Sequence, residues 1–309
     1  MIINNIKLKN NLILAPMAGY TDVAFREICK ECGAGLTVTE MVSSKALFYK
    51  SDKTEELLTT SNLEQPSCVQ LFGHEPKVFA EVVKYPSIQK FDLIDINMGC
   101  PAPKIFKNGD GSALLKDIST AEKIVKECVE NSAKPVSVKF RLGVQENENV
   151  SIEMAKACES AGASFITVHG RTTSQGYSGQ VNIEAIASVK QAVKIPVVAN
   201  GDVVDLQTYK NIINQTGCDG VMIGRGALGN PFVFCEILGL KNPYTKKEAI
   251  FKHYNMLLSF MDKTTVLLNM RKHLAQYLKN EYIDKNLKQQ LLLINDLNEL
   301  LSVLDKILK

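Results

Sequence analysis

The chain has 309 residues, of which 45% are hydrophobic and 22% are charged, and its formal net charge is +3. This composition is typical of soluble globular proteins. No apolar run approaches the roughly 20 residues of a membrane-spanning helix, and the first ten residues, MIINNIKLKN, lack the apolar core of a signal peptide. We therefore expect a cytoplasmic protein without membrane contact, in which the eight cysteines stay reduced.

Eight short apolar runs recur along the first 226 residues, separated by stretches with helical signals. The runs are LILAPM (12–17), LTVTEM (36–41), SCVQLFG (67–73), LIDINMG (93–99), VSVKFRLG (136–143), FITVHG (165–170), PVVANGD (196–202) and GVMIGRG (220–226). Such continuous runs indicate strands buried on both faces. Between them, Ser119 and Glu122 have the spacing of a capping box and predict a helix start. Eight strand–helix units predict a closed (β/α)₈ barrel, the TIM barrel, with a doubly wound open sheet as the alternative.

The pattern changes after Pro231, where no further strand-like run occurs. Thr245 and Glu248 have capping-box spacing, and apolar positions 250, 254, 257, 258 and 261 follow a helical period. We predict a barrel domain over residues 1–240 and a small all-helical domain over residues 241–309. The second holds 12 Lys and Arg against 7 Asp and Glu, which favours an anionic macromolecular partner or, more simply, a solvated basic face.

Polar residues and glycines collect where the predicted strands end, which is where barrels carry their chemistry. The first strand end reads Pro16, Met17 and Ala18, and the polar residues and glycines at the others are Gln70, Asn97, Cys100, Lys139, Arg141, His169, Arg171, Asn200, Gly201, Asp202, Gly224 and Arg225. Because the interior of a barrel strand is normally aliphatic, so many polar strand ends predict one shared ligand site.

The last two strand ends, ANGD and IGRGALGNP, are rich in glycine. Glycines allow backbone N–H groups to approach a phosphate, and Arg225 adds a positive charge. Residues 224–229 match G-x-G-x-x-G, but no strand follows, so a dinucleotide fingerprint is excluded. Lys139 is predicted to be buried, which requires either a structural ion pair or a ligand that carries negative charge, such as the edge of a reduced flavin.

Cys29 and Cys32 form a single C-x-x-C, and the chain has only four histidines. Without a second pair, packing is a better explanation than zinc, so no metal site is expected. Cys100, within DINMGCPAPK, has four possible roles: buried filler, metal ligand, nucleophile or proton donor.

Seven motifs together resemble the tRNA-dihydrouridine synthases, with a spacing most like the B-type bacterial branch. They are LAPMAGYTD, QLFG, DINMGCPAPK, VSVKFRLG, VHGRTTSQGYSG, ANGD and IGRGALGNP, in order across residues 10–235. The later MRKHLAQYLK is similar to part of the family's RNA-binding domain. The resemblance implies an FMN-binding barrel that reduces a D-loop uridine of tRNA at the expense of NADPH, and we expect it to act as a monomer.

The resemblance also implies roles for individual residues. Pro16, Met17 and Ala18 would line the flavin, Gln70, Lys139 and His169 would contact it, and Asn200, Gly201, Asp202, Gly224 and Arg225 would hold its ribityl phosphate. The residues expected to contact the substrate are Asn97, Lys104, Arg141, Arg171, Arg271 and Lys272, and Lys246, Lys247 and Lys279 are further candidates for RNA phosphates. Relatives often carry a basic pair where this chain has Pro103 before Lys104.

Cys100 is then best explained as the general acid. Saturating the C5=C6 bond of uracil requires a hydride at C6, which reduced flavin supplies, and a proton at C5. An ordinary thiol is mostly protonated at neutral pH and can donate that proton. A structural cysteine stays an alternative, as does a nucleophile assisted by His74 or His169, although neither histidine lies in the same loop. Cys68, on the third predicted strand, is expected in the core.

Three other functions remain open at this point. A dihydroorotate or dihydropyrimidine dehydrogenase also uses a flavin barrel with a cysteine, but it acts on free pyrimidines and needs no basic helical tail. A non-catalytic tRNA-binding chaperone would need the tail but no cofactor. A phosphate-binding aldolase or isomerase barrel would need neither flavin nor RNA.

Overall fold

The computed structural model describes residues 1–279 and 281–308, and it confirms all eight predicted strands. The strands in chain order are β1 (Ile2–Ile3), β2 (Ile6–Lys7), β3 (Leu12–Leu14), β4 (Leu36–Ser43), β5 (Ser67–Phe72), β6 (Leu93–Met98), β7 (Val136–Arg141), β8 (Phe165–His169), β9 (Val197–Asn200) and β10 (Gly220–Ile223). Strands β3 to β10 are parallel, and β10 pairs with β3 to close the barrel. The alternative of an open sheet is therefore wrong.

Fifteen α-helices lie in the described part of the chain. They are α1 (Val23–Glu31), α2 (Ser44–Phe48), α3 (Asp52–Glu55), α4 (Pro76–Val82), α5 (Pro86–Gln89), α6 (Pro103–Lys107), α7 (Ile118–Asn131), α8 (Ser151–Ser160), α9 (Ile183–Ala192), α10 (Leu206–Thr216), α11 (Val233–Leu238), α12 (Lys246–Leu257), α13 (Lys263–Tyr277), α14 (Lys285–Leu293) and α15 (Leu297–Ile307). No helix of the described residues is both long and apolar enough to cross a membrane.

One predicted helix start is confirmed and another is wrong. Thr245 and Glu248 form a reciprocal capping box at the start of α12. The α7 helix instead starts at Ile118, because Asp117 caps it by accepting the Thr120 N–H at 3.0 Å. Ser119 already lies in the first turn. An Asp two residues earlier satisfies the free N–H groups at the helix start and leaves Ser119 no capping role.

The amino ends of the barrel strands are closed by a hairpin that the sequence pattern did not reveal. Strands β1 and β2 pair antiparallel, and Ile3 packs in a cluster with Leu36, Leu93 and Phe165. These three residues begin β4, β6 and β8. With this end covered, the carboxyl ends of the strands form the accessible mouth of the barrel.

Residues 241–279 and 281–308 contain only helices and turns. Their own apolar core includes Ile250, Tyr254, Leu257 and Met270, with Ala24 of α1 packed into it. The helical domain therefore sits against the first helix of the barrel. The boundary predicted at residue 240 falls in the segment between α11 and α12.

Candidate active site

A cavity of about 980 Å³ opens at the carboxyl ends of the barrel strands. It brings together most of the predicted site residues, namely Pro16, Met17, Ala18, Gln70, Asn97, Cys100, Lys139, Arg141, His169, Asn200, Gly201, Asp202, Gly224 and Arg225. Lys279 of the helical domain also lines it. Six predicted residues lie outside this lining: Lys104, Arg171, Lys246, Lys247, Arg271 and Lys272. One cavity at the mouth thus agrees with the shared site expected from the strand ends.

Cys100 is the only one of the eight cysteines that is not buried. The loop that carries it follows β6 and is held from both sides. Asn97 Oδ1 accepts the N–H groups of Gly99 at 3.1 Å and Cys100 at 2.9 Å, while Ser112 Oγ donates to the Cys100 carbonyl at 2.8 Å. Gly111 packs directly on Cys100, where a Cβ would come within 3.0 Å of the Cys100 Cβ. The thiol therefore enters the cavity from a fixed backbone.

A chain of hydrogen bonds sets the orientation of Asn97. Buried Asp95 accepts from Gln70 Nε2 at 2.7 Å and from Ser137 Oγ at 2.6 Å, and Gln70 Oε1 accepts from Asn97 Nδ2 at 2.8 Å. A carboxylate can only accept, so Gln70 must turn its amide nitrogen to Asp95 and its oxygen to Asn97. Asn97 in turn must present its oxygen to the Cys100 loop.

Sequence reasoning missed Asp95, although a signal was present. Asp95 and Asn97 are two residues apart on β6, so they share the face that points into the barrel. Burial raises the pKa of Asp95, opposed by the hydrogen bonds from Gln70 and Ser137 and by Lys139. The Gln70 amide, predicted to face a cofactor, has one N–H and one lone pair left for that purpose.

Lys139 lies beside Asn97 across the β6–β7 pair and reaches the cavity. Among residues 1–279 and 281–308, no carboxylate forms an ion pair with it. The structural ion pair considered for this residue is therefore wrong. Burial, followed by the nearby Arg141, lowers the pKa of Lys139 to about 8. An unpaired ammonium that faces a cavity favours a ligand with negative charge.

The two arginines of this region are engaged by one loop, residues 172–179. Arg141 donates to the carbonyls of Gly99 at 2.8 Å, Thr172 at 2.9 Å and Gly176 at 2.7 Å. Arg171 donates to the carbonyls of Ser178 at 3.0 Å and Gly179 at 2.6 Å. Both side chains were predicted as substrate contacts, and the structure places their donors mainly on this loop.

The loop presents Tyr177, which sequence reasoning overlooked. Its ring lies near two guanidinium groups, 5.5 Å from that of Arg141 and 5.2 Å from that of Arg225. The residue is 59% exposed and lines the cavity. The aromatic residue between the glycines of QGYSG is visible in the sequence, but single exposed aromatic residues are common, so the sequence contains no specific signal for it.

His169 ends β8 inside the cavity and is 6% exposed. Burial lowers its pKa, and the positive charges of Lys139, Arg141, Arg171 and Arg225 lower it further. The imidazole is therefore neutral at physiological pH, with one nitrogen that donates and one that accepts.

The ends of β9 and β10 form a second cationic part of the cavity. Asp202 pairs with Arg171 and, at 2.9 Å, with Arg225, so one carboxylate faces two guanidinium groups. In the described chain, the peptide N–H groups of Gly224, Arg225 and Gly226 donate to no other backbone carbonyl. Asn200 Nδ2 donates to the Met222 carbonyl at 2.8 Å, which leaves its oxygen available. Free N–H groups with one surplus positive charge suit an anion.

The predicted RNA-contacting cations differ in their surroundings. Lys272 lies 5.9 Å from the Tyr20 ring at the mouth, whereas Arg271 donates to Asn295 at 2.7 Å within the helical domain. Lys246 pairs with Glu281, and Lys247 pairs with Asp305 at 2.7 Å. Lys104 is exposed on α6. Lys279 lines the cavity, and Lys272 lies beside Tyr20, which lines it too.

Fold and site together define a (β/α)₈-barrel protein with a deep, cationic ligand site at its mouth. A model of the dihydrouridine synthase (Dus) family matches residues 13–309. The chain belongs to this family, as its motifs predicted.

Individual relatives agree with that assignment. The chain is 40% identical over 285 residues to a "Probable tRNA-dihydrouridine synthase" of Rickettsia conorii, with 89% of this chain and 86% of the relative covered. It is 38% identical over 288 residues to "tRNA-dihydrouridine synthase B" of Vibrio vulnificus, with 90% and 89% covered. The predicted likeness to the B-type branch is confirmed.

The similarity to solved structures is evidence for the fold only. The old yellow enzyme homologue from Zymomonas mobilis aligns with a TM-score of 0.58 at 14% identity, covering 81% of this chain and 94% of that chain. A variant of the same protein aligns with a TM-score of 0.57 at 16% identity, covering 80% and 92%.

Proposed function

We propose that this protein is a tRNA-dihydrouridine synthase, which reduces the C5=C6 bond of a D-loop uridine with FMN as cofactor and NADPH as reductant. The proposal rests on one observation, which is that the Cys100 thiol and the Lys139 ammonium line the same cavity. Family membership and the names of the relatives support the tRNA substrate. In this proposal the barrel, residues 1–240, binds the cofactor, and residues 241–309 help to bind tRNA.

The cavity residues fit a flavin mononucleotide. Lys139, without an ion-pair partner among the described residues, would meet the edge of the ring that becomes negative on reduction. The remaining donor and acceptor of Gln70 and the free oxygen of Asn200 suit a ring edge that alternates N–H and C=O groups. The open N–H groups at Gly224 and Arg225 suit the phosphate. When bound, the flavin supplies the hydride.

Cys100 supplies the proton in this proposal. Its Sγ would protonate C5 of the uracil as C6 receives the hydride, and the thiol would then be restored from solvent. Asn97 fixes the thiol by holding the Gly99 and Cys100 N–H groups. A neutral His169 would hold a hydrogen-bonding group of the cofactor without adding charge. Because the thiol stands on a rigid loop, little reorganisation is needed during proton transfer.

The RNA must deliver a stacked uridine into the cavity, which costs a few kcal/mol of unstacking. Cations around the mouth, among them Lys272, Lys279 and Lys104, would hold the RNA backbone during this step. Tyr177 adds an exposed aromatic face at the mouth on which a base can stack.

The decisive assay incubates the purified protein with NADPH and an unmodified tRNA transcript and maps dihydrouridine by mass spectrometry. We expect dihydrouridine in the D loop and a yellow protein with an absorbance band at about 450 nm. Free uracil and orotate serve as competing substrates. Turnover of a free pyrimidine without any change in tRNA would favour the dehydrogenase alternative, and a colourless folded protein that binds tRNA would favour the chaperone.

A further inference from the structure

Three buried side chains meet where the helical domain contacts the barrel, at some remove from the chemistry proposed above. Asp22 caps α1 of the barrel, His253 lies on α12, and His273 lies on α13. Their side chains are 15%, 0% and 2% exposed, respectively. The three residues come from separate elements and are up to 251 positions apart in the chain, so the cluster exists only in the folded protein.

The donor atoms of the cluster lie close together. His253 Nε2 lies 3.2 Å from Asp22 Oδ1, and His273 Nε2 lies 3.0 Å from Asp22 Oδ2. One ligand atom from each of the three residues lies within 4.8 Å of the others. Tetrahedral zinc with bonds of about 2.0–2.1 Å places its ligand atoms about 3.3 Å apart. The observed separations between nitrogen and oxygen are close to that spacing.

Hydrogen bonding accounts for only one of the two histidines. His253 Nε2 bonds to the carboxylate of Asp22 in acceptable geometry. His273 Nε2 is buried and, despite its distance of 3.0 Å from Asp22 Oδ2, forms no properly directed hydrogen bond with any described residue. A buried ring nitrogen without a partner is costly. It is satisfied when its lone pair points at a metal ion that the carboxylate shares.

The surroundings resemble those of established metal sites. The second nitrogen of His253, Nδ1, lies 3.4 Å from the Tyr277 hydroxyl, which orients the ring from outside the cluster. Phe25 packs against both imidazoles, with ring centroids at 5.9 Å and 5.5 Å. Two imidazoles and one carboxylate are a ligand set that zinc accepts, with a fourth position for water.

We propose that Asp22, His253 and His273 bind one Zn²⁺ ion that clamps the helical domain to the barrel. Asp22 follows the loop that carries the cavity-lining Met17 and Tyr20. The ion would thus tie α12 and α13 to the loop predicted to line the flavin. This goes against the expectation from the sequence, where the three residues share no motif and no metal site was predicted.

The test begins with untagged protein, since a polyhistidine tag binds zinc itself. Metal content is measured by inductively coupled plasma mass spectrometry, and the protein is then stripped with a chelator and titrated with Co²⁺. We expect about one zinc per chain and, on titration, the visible absorption bands of tetrahedral Co²⁺ saturating at one equivalent.

Variants assign the site. His253→Gln and His273→Gln should each lose the zinc and the Co²⁺ bands. His74→Gln, which removes a partly exposed histidine paired with Asp110, should keep both. Asp22→Asn should weaken Co²⁺ binding although its amide oxygen can still cap α1. The proposal is overturned if untagged wild-type protein holds no more metal than His253→Gln, or if stripped wild-type protein gives no Co²⁺ bands. If a variant fails to fold, the Co²⁺ titration of the stripped wild-type protein still shows whether the protein binds the metal.

Discussion

The barrel mouth and the helical domain both carry many cations, but they use them differently. In the helical domain, Lys246 and Lys247 each have a carboxylate partner. At the mouth, Lys139 has none among the described residues, and Arg225 and Arg171 share the single carboxylate of Asp202. Exposed pairs contribute little free energy, whereas an ammonium without a partner inside a cavity is costly, which lowers its pKa and favours binding of an anion. An unpaired cation inside a cavity, rather than the amount of charge, marks the candidate ligand site.

The largest expected effect comes from the thiol at the mouth. Cys100→Ala should lower kcat about 10²- to 10⁴-fold, the usual contribution of a general acid, while leaving flavin absorbance and tRNA affinity unchanged. Cys68→Ala removes a thiol that is buried on β5 and outside the cavity lining, so it should keep its turnover. Normal uridine reduction by Cys100→Ala would remove the thiol from the mechanism.

The unpaired ammonium predicts a pH dependence. The pKa of Lys139 is lowered to about 8, by desolvation first and by Arg141 second, so the charge is present below that pH and lost above it. We expect the affinity of the flavin-free protein for reduced FMN to fall by up to about tenfold for each pH unit above about 8, since the empty cavity then loses its ammonium. Lys139→Arg keeps its charge at all these pH values. A falling limb that persists unchanged in that variant would assign the titration to another group.

A smaller effect is expected from the hydrogen-bond chain beneath the thiol. Asp95→Asn lets Gln70 turn its amide either way, so Asn97 no longer has to hold the Cys100 loop. We predict a loss of about tenfold in kcat with little change in KM, and faster alkylation of Cys100 as the loop loosens. Ser137→Ala removes the other donor to Asp95 and leaves the chain intact. Equal alkylation rates in all three proteins would exclude a positioning role for Asp95.

The smallest effect separates the two groups of lysines. Removing one cation that binds an RNA phosphate should flatten the slope of log affinity against log salt by about 0.7–0.9. Lys272→Ala with Lys279→Ala, near the mouth, should flatten the slope for tRNA binding by nearly two such steps. The matched pair Lys246→Ala and Lys247→Ala removes two ion-paired lysines and should change the slope less. The reverse ranking would move the RNA-binding surface away from the mouth.

Elements with a long, repeated pattern could be predicted from sequence, and elements defined by single contacts could not. The eight barrel strands follow from continuous apolar runs. The polar residues predicted at their ends, among them Cys100, Lys139 and Arg225, line one cavity. The two-residue strands β1 and β2 are too short to have a period. The Ser119 cap failed because Asp117 offered a competing acceptor two residues earlier.

Contacts between residues that are far apart in the chain could not be predicted from the sequence either. Asp22 meets His253 and His273 only because α12 and α13 pack on α1. Arg171 follows the end of β8, where a site residue is expected, yet its donors are taken by Gly179, Ser178 and Asp202. Residue type and position indicate that a side chain is near a site, whereas its hydrogen-bond partners decide whether it is available to a ligand.

The most direct test of the central proposal is a single turnover. The purified protein is reduced with NADPH without oxygen and mixed with one equivalent of unmodified tRNA, and absorbance at about 450 nm and dihydrouridine mass are followed together. We predict that the flavin band returns in step with the formation of dihydrouridine in the D loop. A protein that carries no flavin, or a flavin that stays reduced with tRNA and is reoxidised by a free pyrimidine, would contradict the proposal.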